Sequence, residues 1–287
     1  MIPPPLRAPR SLLAASVFFF GAAYFTVRFP NTPGAGVGSF VSTLFIALPS
    51  FIALWRYLGS KVAALSLLSL SLLGFAVETI GVATGFPYGP FYYGGSLGPK
   101  VAGLVPFLLP LSWVPLVLGA VAATSRFASG AGSRVFPYSL GERSEPRSEA
   151  PRWVLSAAVL LALVDGVLDP GAAALGFWVW PEGGIYYGVP ITNYLGWLFS
   201  SSLAAALLIV LGRHRWGSVS PPPGLLDSAL IAAAFWTGVA VFSGLSFPAV
   251  LGAALYLLLL HRRSRLAVIG GSRYKRRGNQ DERRLEA

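Results

Sequence analysis

Residues 62–83, VAALSLLSLSLLGFAVETIGVA, decide the fold class of this chain. The stretch is long and almost entirely apolar, and Glu78 is its only charged residue. A helix that crosses a membrane needs roughly 20 mainly apolar residues, so the stretch predicts a membrane-spanning helix. Its single carboxyl group needs an explanation, because an acidic side chain inside a membrane costs roughly 2.5–3.5 kcal/mol by insertion scales.

The composition of the whole chain agrees with a membrane protein. Of its 287 residues, 54% are apolar and 11% are charged, against about 45–50% and about 25% in soluble domains. This excludes an ordinary cytosolic enzyme and a disordered chain. The net charge of +11 would indicate a nucleic-acid partner only if the basic residues formed one face. They fall instead in short clusters between apolar runs, so we expect no nucleic-acid partner.

The chain contains few residues that could hold a metal or a cofactor. Cysteine is absent and the only histidines are His214 and His261, which lie among arginines at predicted helix ends. Disulfides, thiolate metal sites and iron–sulfur clusters are therefore excluded. No phosphate-binding loop, dinucleotide fingerprint or paired-histidine motif is present. We expect no cofactor and no metal site.

Eight apolar segments predict an all-α, polytopic membrane protein. They are residues 11–27, 39–55, 62–83, 101–123, 153–168, 191–211, 226–243 and 247–260. The first is preceded by arginines, like a signal peptide, but no clean A-x-A-like cleavage site follows it, so we interpret it as a membrane helix. The last two are separated only by residues 244–246 and form either a tight hairpin or one broken helix.

The distribution of basic residues predicts how these segments are oriented. With the N-terminus in the cytoplasm and eight alternating spans, every Lys and Arg except Arg28 and Lys100 falls on the cytoplasmic side. We therefore predict a multi-pass protein of the cell membrane with both termini cytoplasmic. Residues 1–265 would form one transmembrane domain with a flexible cytoplasmic loop at 130–151. The basic tail at 266–287 would contact anionic lipid headgroups.

Two stretches of the sequence resemble each other. Tyr92-Tyr93-Gly94, Val105-Pro106 and Trp113 recur as Tyr186-Tyr187-Gly188, Val189-Pro190 and Trp197, with six residues between VP and Trp in both copies. Upstream, Gly85-Phe86 matches Gly176-Phe177, and an acidic residue precedes each glycine by seven positions. We interpret residues 62–123 and 153–211 as a parallel repeat of two helical hairpins. Chance similarity between aromatic, Gly-rich loops is the alternative.

Three acidic residues lie within or at the ends of apolar spans: Glu78, Asp165 and Asp169. The two aspartates are four apart and share one helix face. Pro170 follows, so we expect the helix to kink or end there and to leave polar backbone beside both carboxylates. Such backbone at membrane depth is tolerated where it lines a cavity. The aspartates are either an acid–base site or a capping and packing device.

Glu78 and the two aromatic loops complete the candidate site. Burial disfavours a charged carboxylate, which makes Glu78 a candidate proton donor. A buried hydrogen bond to a neighbouring helix is the alternative. The aromatic residues of both loops could form a belt at the lipid headgroups, or their ring faces could stabilise a cation.

Four motifs resemble the integral-membrane carotenoid biosynthesis family. They are ETIG at residues 78–81, GFPYGPFYYGGSLGPKVAGLVPFLLPLSW, DGVLDPGAAALGFW and GIYYGVPITNYLGW. This family includes carotenoid 1,2-hydratases and bisanhydrobacterioruberin hydratase. The resemblance covers roughly residues 72–200; the flanking helices are generic. It implies a hydratase, a cofactor-independent hydro-lyase of isoprenoid metabolism that adds water across the terminal C1–C2 double bond of an acyclic carotenoid.

The implied chemistry assigns roles to the candidate residues. Protonation of the double bond gives a tertiary carbocation, which water captures as a tertiary alcohol. Glu78 or Asp165 would donate the proton, and Asp169 would orient or deprotonate the water. The aromatic residues that would shape the pocket are Tyr88, Tyr92, Tyr93, Trp113, Tyr186, Tyr187 and Trp197. The partners would be the carotenoid substrate and membrane lipids, and we also consider other pathway enzymes, because the apolar substrate must pass between them.

Two other functions remain open from the sequence. Asp165-x-x-x-Asp169 resembles half of the magnesium–diphosphate site of a membrane prenyltransferase, but a second Asp-rich motif is missing. Repeats, broken helices and intramembrane carboxylates also occur in transporters. A proton-coupled membrane transporter is therefore the alternative from a different functional class.

Overall fold

The computed structural model describes residues 8–30, 32, 34–129 and 150–285, and this part of the chain is mainly helical. Most of the predicted loop at 130–151 lies outside the described residues. The helices are α1 (Arg10–Arg28), α2 (Ala35–Leu58), α3 (Ser60–Thr84), α4 (Leu109–Thr124), α5 (Arg126–Ser129), α6 (Ala150–Ala174), α7 (Ile191–Leu211), α8 (Arg213–Trp216), α9 (Asp227–Phe242) and α10 (Ser246–Leu285). The short strands are β1 (Tyr92–Tyr93), β2 (Lys100–Val101), β3 (Val105–Pro106) and β4 (Trp178–Val179).

Within the residues that the structure describes, six helical segments are long and apolar enough to cross a membrane. They are α1, Gly36–Leu58 of α2, α3, α6, α7 and Pro223–Phe242, which contains α9. The fourth and eighth predicted spans correspond to α4 and α10, which are not among these six segments. The helix α4 has only 16 residues, and α10 has 40, because it continues from its apolar start through the basic tail.

The predicted start of the fourth span at Val101 is wrong. Residues 100–106 form an antiparallel hairpin in which Lys100 pairs with Pro106 and Val101 with Val105. At its turn, Ala102 and Gly103 have φ angles of 51° and 72°, which no helix contains. Apolar composition alone does not distinguish a short buried strand from the first turns of a helix.

The fifth predicted span, α6, does not end at Asp169 but continues through Pro170 to Ala174. Proline has no N–H, so the Gly166 carbonyl loses its helical hydrogen bond. The Tyr186 hydroxyl donates to this carbonyl at 2.9 Å. A loop tyrosine thus replaces the missing bond, and Asp165 and Asp169 remain on one continuous helix.

The helices α4, α6 and α9 are the most buried and form the centre of the bundle. The helix α1 packs along α9, and α7 packs along α6. Large apolar side chains on the outer helices are exposed, for example Phe18, Leu68 and Leu195. Such a surface suits contact with lipid acyl chains rather than water.

The chain reverses between α9 and α10, so these segments form a hairpin rather than one broken helix. Gly244 has a φ of 74° at the reversal, a conformation that glycine adopts without strain. Farther along the hairpin, Gly252 faces Thr237. At its open end, Arg263 Nε donates to Asp227 Oδ1 at 2.6 Å.

Candidate active site

A cavity of about 710 Å³ lies between the helices and beneath the two aromatic loops. It is lined by residues of α1, α2, α3, α4, α6, α7 and α9, and most of its wall is aromatic or aliphatic. Glu78 and Asp169 are the acidic residues on its wall, and Asn193 adds an amide. Both carboxyl groups therefore face one mainly apolar space.

Glu78 is placed by α3 and held by the first loop. Its side chain is buried, and Tyr93 Oη donates a hydrogen bond of 2.7 Å to Glu78 Oε2. Burial, followed by the nearby Glu78 charge, raises the pKa of the Tyr93 hydroxyl well above its usual value. Tyr93 therefore stays protonated and acts as the donor in this contact.

Asp165 and Asp169 lie one turn apart on α6 and share a single amide from α7. Asn193 Nδ2 donates to Asp165 Oδ2 at 3.0 Å and also to Asp169 Oδ2. Trp178 Nε1 donates to Asp169 Oδ1 at 3.0 Å. Both oxygens of Asp169 thus accept a hydrogen bond. Asp165 Oδ1 is buried and has no hydrogen-bond partner among the described residues.

The two loops meet directly above the acidic residues. Strands β1 and β4 pair antiparallel, with Tyr93 opposite Trp178. Their rings make an edge-to-face contact with centroids 5.9 Å apart. The backbones are close at Gly94, where an added Cβ would collide with the Gly176 carbonyl. One cross-strand pair therefore supplies a donor to Glu78 from one strand and to Asp169 from the other.

Glycines on the helices make room for two further rings of the site. An added Cβ would lie 2.8 Å from the Tyr88 ring at Gly81 and 2.5 Å from it at Gly196. Tyr88 is thus wedged between α3 and α7, next to Glu78. At Gly74, the same Cβ would lie 3.0 Å from the Trp113 ring. Larger residues at these positions would displace the aromatic wall.

The cavity brings together six of the ten residues that the sequence predicts for the site. These are Glu78, Asp169, Tyr88, Tyr93, Trp113 and Trp197. Four do not line it. Asp165 is buried behind Asn193, and Tyr92 is exposed. Tyr186 bonds to the Gly166 carbonyl, and its ring packs against Tyr187 with centroids 5.1 Å apart.

Sequence reasoning missed two polar contacts, those of Asn193 and Trp178. Asn193 interrupts an otherwise apolar segment shortly after the second VP motif, and a buried amide in such a helix usually has polar partners. Trp178 directly follows the second GF motif. Within the described ranges, no group of three or more His, Asp or Glu side chains is arranged to hold a metal ion.

Comparison with known proteins relates this site to a family. Residues 36–259 match the model of the carotenoid biosynthesis protein family. Over 200 residues the chain is 39% identical to bisanhydrobacterioruberin hydratase of Haloarcula japonica, an alignment that covers 67% of this chain and 62% of that protein. The chain thus spans less than two thirds of the length of this relative. No solved structure matches the chain.

The family match extends from the start of α2 into α10 and contains both loops, all three acidic residues and Asn193. It therefore covers nearly all of the cavity wall, apart from the residues that α1 and the segment following it contribute. The chain belongs to the carotenoid biosynthesis protein family.

Proposed function

We propose that this protein is a carotenoid hydratase that adds water to the terminal C1–C2 double bond of an acyclic end group. The observation that carries the proposal is the pair of carboxyl groups, Glu78 and Asp169, that face one aromatic cavity. Hydration of an unactivated double bond needs an acid, a placed water molecule and shelter for a carbocation. The relative from Haloarcula japonica carries the name bisanhydrobacterioruberin hydratase, which supports a hydratase.

Glu78 is the proposed acid. Tyr93 donates its hydrogen bond to Oε2 of this carboxyl group, so Oε1 is the oxygen that would carry the proton. Transfer of this proton to C2 of the substrate moves the π electrons into the new C–H bond and leaves a tertiary cation at C1. The mainly apolar surroundings keep bulk water away from this cation.

Asp169 is the proposed base. Hydrogen bonds at both of its oxygens favour an ionised carboxylate, because a carboxylate offers acceptors only. A water molecule beside it attacks C1 through its oxygen lone pair and gives one proton to Asp169. The product is a tertiary alcohol, and the proton that Asp169 has taken up must pass to Glu78, directly or through water, before the next turnover. Asp165 fixes Asn193 and thereby the orientation of Asp169.

The aromatic wall would stabilise the carbocation between these two steps. Tyr88, Tyr93, Trp113 and Trp197 all line the cavity, and ring faces attract a positive charge by roughly 0.5–2 kcal/mol per contact. Burial raises the pKa of Tyr88 well above its usual value, with the Glu78 charge as the second cause. Its ring therefore stays a neutral phenol beside the cation.

We further propose eight spans, with both termini cytoplasmic and the two loops on the outer side. The parallel repeat is part of this proposal. In its support, Gly85 and Gly176 both have positive φ angles just after a helix end, 80° and 64°. The matched acidic residues, Glu78 and Asp169, also face the same cavity.

The test is to express the protein in a bacterium that accumulates lycopene and to analyse the pigments by chromatography and mass spectrometry. Membranes that receive bisanhydrobacterioruberin provide the second substrate. We expect a product heavier by one water and its loss in Glu78→Gln and in Asp169→Asn. Glu182→Gln, which changes an exposed loop carboxylate, is the matched control and should keep activity. Well-inserted protein that hydrates neither substrate would contradict the proposal.

A further inference from the structure

The cavity extends away from the carboxyl groups into a cleft between α1 and α2. Phe25 and Phe29 of α1 line one side of this cleft, and Ser39, Ser42 and Ile46 of α2 line the other. The two helices are consecutive in the chain, yet α1 packs along α9 and makes at most marginal contact with α2 in the described ranges. The space between them is therefore part of the cavity.

The cleft is open towards the side of the bundle. The exposed fractions of Phe25 and Phe29 are 64% and 56%, although both residues also line the cavity. On this outer surface the neighbouring side chains of α2 are apolar and exposed as well, as at Val41 and Phe45. In a membrane such an opening faces acyl chains, so an apolar molecule could enter the cavity without crossing water.

The walls of the cleft suit a long conjugated hydrocarbon. Two of the threonine hydroxyls that line it are bonded within their own helices: Thr26 Oγ1 donates to the Ala22 carbonyl at 3.3 Å, and Thr43 Oγ1 donates to the Ser39 carbonyl at 2.7 Å. Neither therefore needs a polar partner from a ligand. The rings of Phe25 and Phe29 are stacked, with centroids 6.3 Å apart, and offer a flat surface for dispersion contacts.

We propose that the cleft between α1 and α2 admits one end of the carotenoid from the lipid and holds the adjoining polyene while that end reacts. This inference rests on the proposed hydratase function. The enzyme would then bind only one end of the substrate. The far end stays in the membrane and does not determine reactivity. A substrate with two acyclic ends must leave and re-enter, so the singly hydrated product is released before the second end reacts.

The chain has no cysteine, so Ser42→Cys places a single thiol in the cleft. Val41→Cys is the matched control, because Val41 is adjacent on α2, is exposed and is not among the residues lining the cavity. Membranes containing either full-length variant would be treated with a bulky maleimide or with a small methylthiolating reagent. We expect the bulky group to lower lycopene hydration by Ser42→Cys far below that of the same variant carrying the small group, and Val41→Cys to hydrate lycopene equally with either group. Full hydration by Ser42→Cys carrying the bulky group would overturn the inference.

A second measurement separates the cleft from the chemistry. The rate of maleimide labelling is compared with and without added lycopene. We expect lycopene to slow labelling of Ser42→Cys and to leave Val41→Cys unaffected. Protection without hydration would contradict the proposed function and keep the entry route. Hydration by the unmodified protein without protection or inhibition would contradict the entry route and keep the function.

Discussion

On each side of the cavity a strand residue donates a hydrogen bond to an acidic residue, but the donors differ between the two sides. On one side Glu78 accepts a hydrogen bond from the hydroxyl of Tyr93, and Tyr88 lies next to its carboxyl group. On the other side Asp169 accepts from Trp178 and from Asn193, and Asp165 shares that amide. A tyrosine hydroxyl can donate or accept, whereas the N–H groups of Trp178 and Asn193 only donate, so one side suits a carboxyl group that carries a proton and the other a carboxylate that accepts one. The difference between the two sides is therefore the basis of the proposed acid–base pair.

Removing either acid should break the pair and gives the largest expected effect. Glu78→Gln and Asp169→Asn keep the side-chain shapes but cannot transfer a proton. We expect kcat/KM for hydration to fall about 100- to 10,000-fold in each, the usual contribution of general acid–base catalysis. The measurement is product formation in membranes with equal amounts of inserted protein. If one variant keeps full activity, that residue is neither acid nor base.

Asn193→Leu tests the side of the cavity on which N–H groups donate to Asp169. The substitution removes both amide hydrogen bonds to the aspartates while keeping a similar volume. A hydrogen bond to a charged group contributes about 1.5–3 kcal/mol, so kcat should fall roughly 10- to 100-fold. KM should stay the same, because Asn193 orients Asp169 and does not bind the polyene. A rise in KM at constant kcat would instead assign Asn193 to substrate binding.

The donors on the paired strands β1 and β4 test how the surroundings of the two carboxyl groups differ. Tyr93→Phe and Trp178→Phe each remove one donor and keep an aromatic ring at the β1–β4 contact. We expect a loss of about tenfold in kcat for each, with Tyr93→Phe the larger, because it removes the 2.7 Å hydrogen bond to the proposed acid, Glu78. Asp169 would retain Asn193. A larger loss in Trp178→Phe would contradict this difference between the two sides. Single-turnover kinetics can measure both losses.

Tyr186→Phe should give the smallest effect on catalysis. The Gly166 carbonyl would lose the donor that replaces its missing helical bond. A buried polar group left unsatisfied costs about 1–3 kcal/mol, so thermal stability in detergent should fall. Hydration should change less than in Tyr93→Phe, because Tyr186 does not line the cavity. A loss of activity at unchanged stability would place Tyr186 in the reaction after all.

Composition and periodicity predicted much of the fold, because a membrane helix depends on local apolar length. The predicted segment 191–211 coincides with α7, and the common face of Asp165 and Asp169 follows from helix geometry alone. The hairpin at 100–106 was missed because its apolar residues resemble the start of a helix. The alternative that the helix ends at Pro170 was wrong, and the contact of Tyr186 with the Gly166 carbonyl could not be foreseen because it depends on the folded loop.

The site was predicted less completely, because its polar contacts join distant parts of the chain. The apolar context singled out three acidic residues, because such residues are costly in a membrane span, and two of them, Glu78 and Asp169, line the cavity. The pairing of Tyr93 with Trp178 joins two loops and leaves no local pattern. Asn193 likewise contacts residues of another helix. Such partners become visible only when the helices are packed.

The most direct test of the central claim is hydration of lycopene in deuterated water by membranes containing the protein. The account predicts a tertiary alcohol at C1 and one carbon-bound deuterium at C2, with product formation lost in Glu78→Gln and in Asp169→Asn and kept in Glu182→Gln. A hydrated product formed at the wild-type rate by the Glu78→Gln and Asp169→Asn double variant would contradict it, because no acid–base pair would then face the substrate.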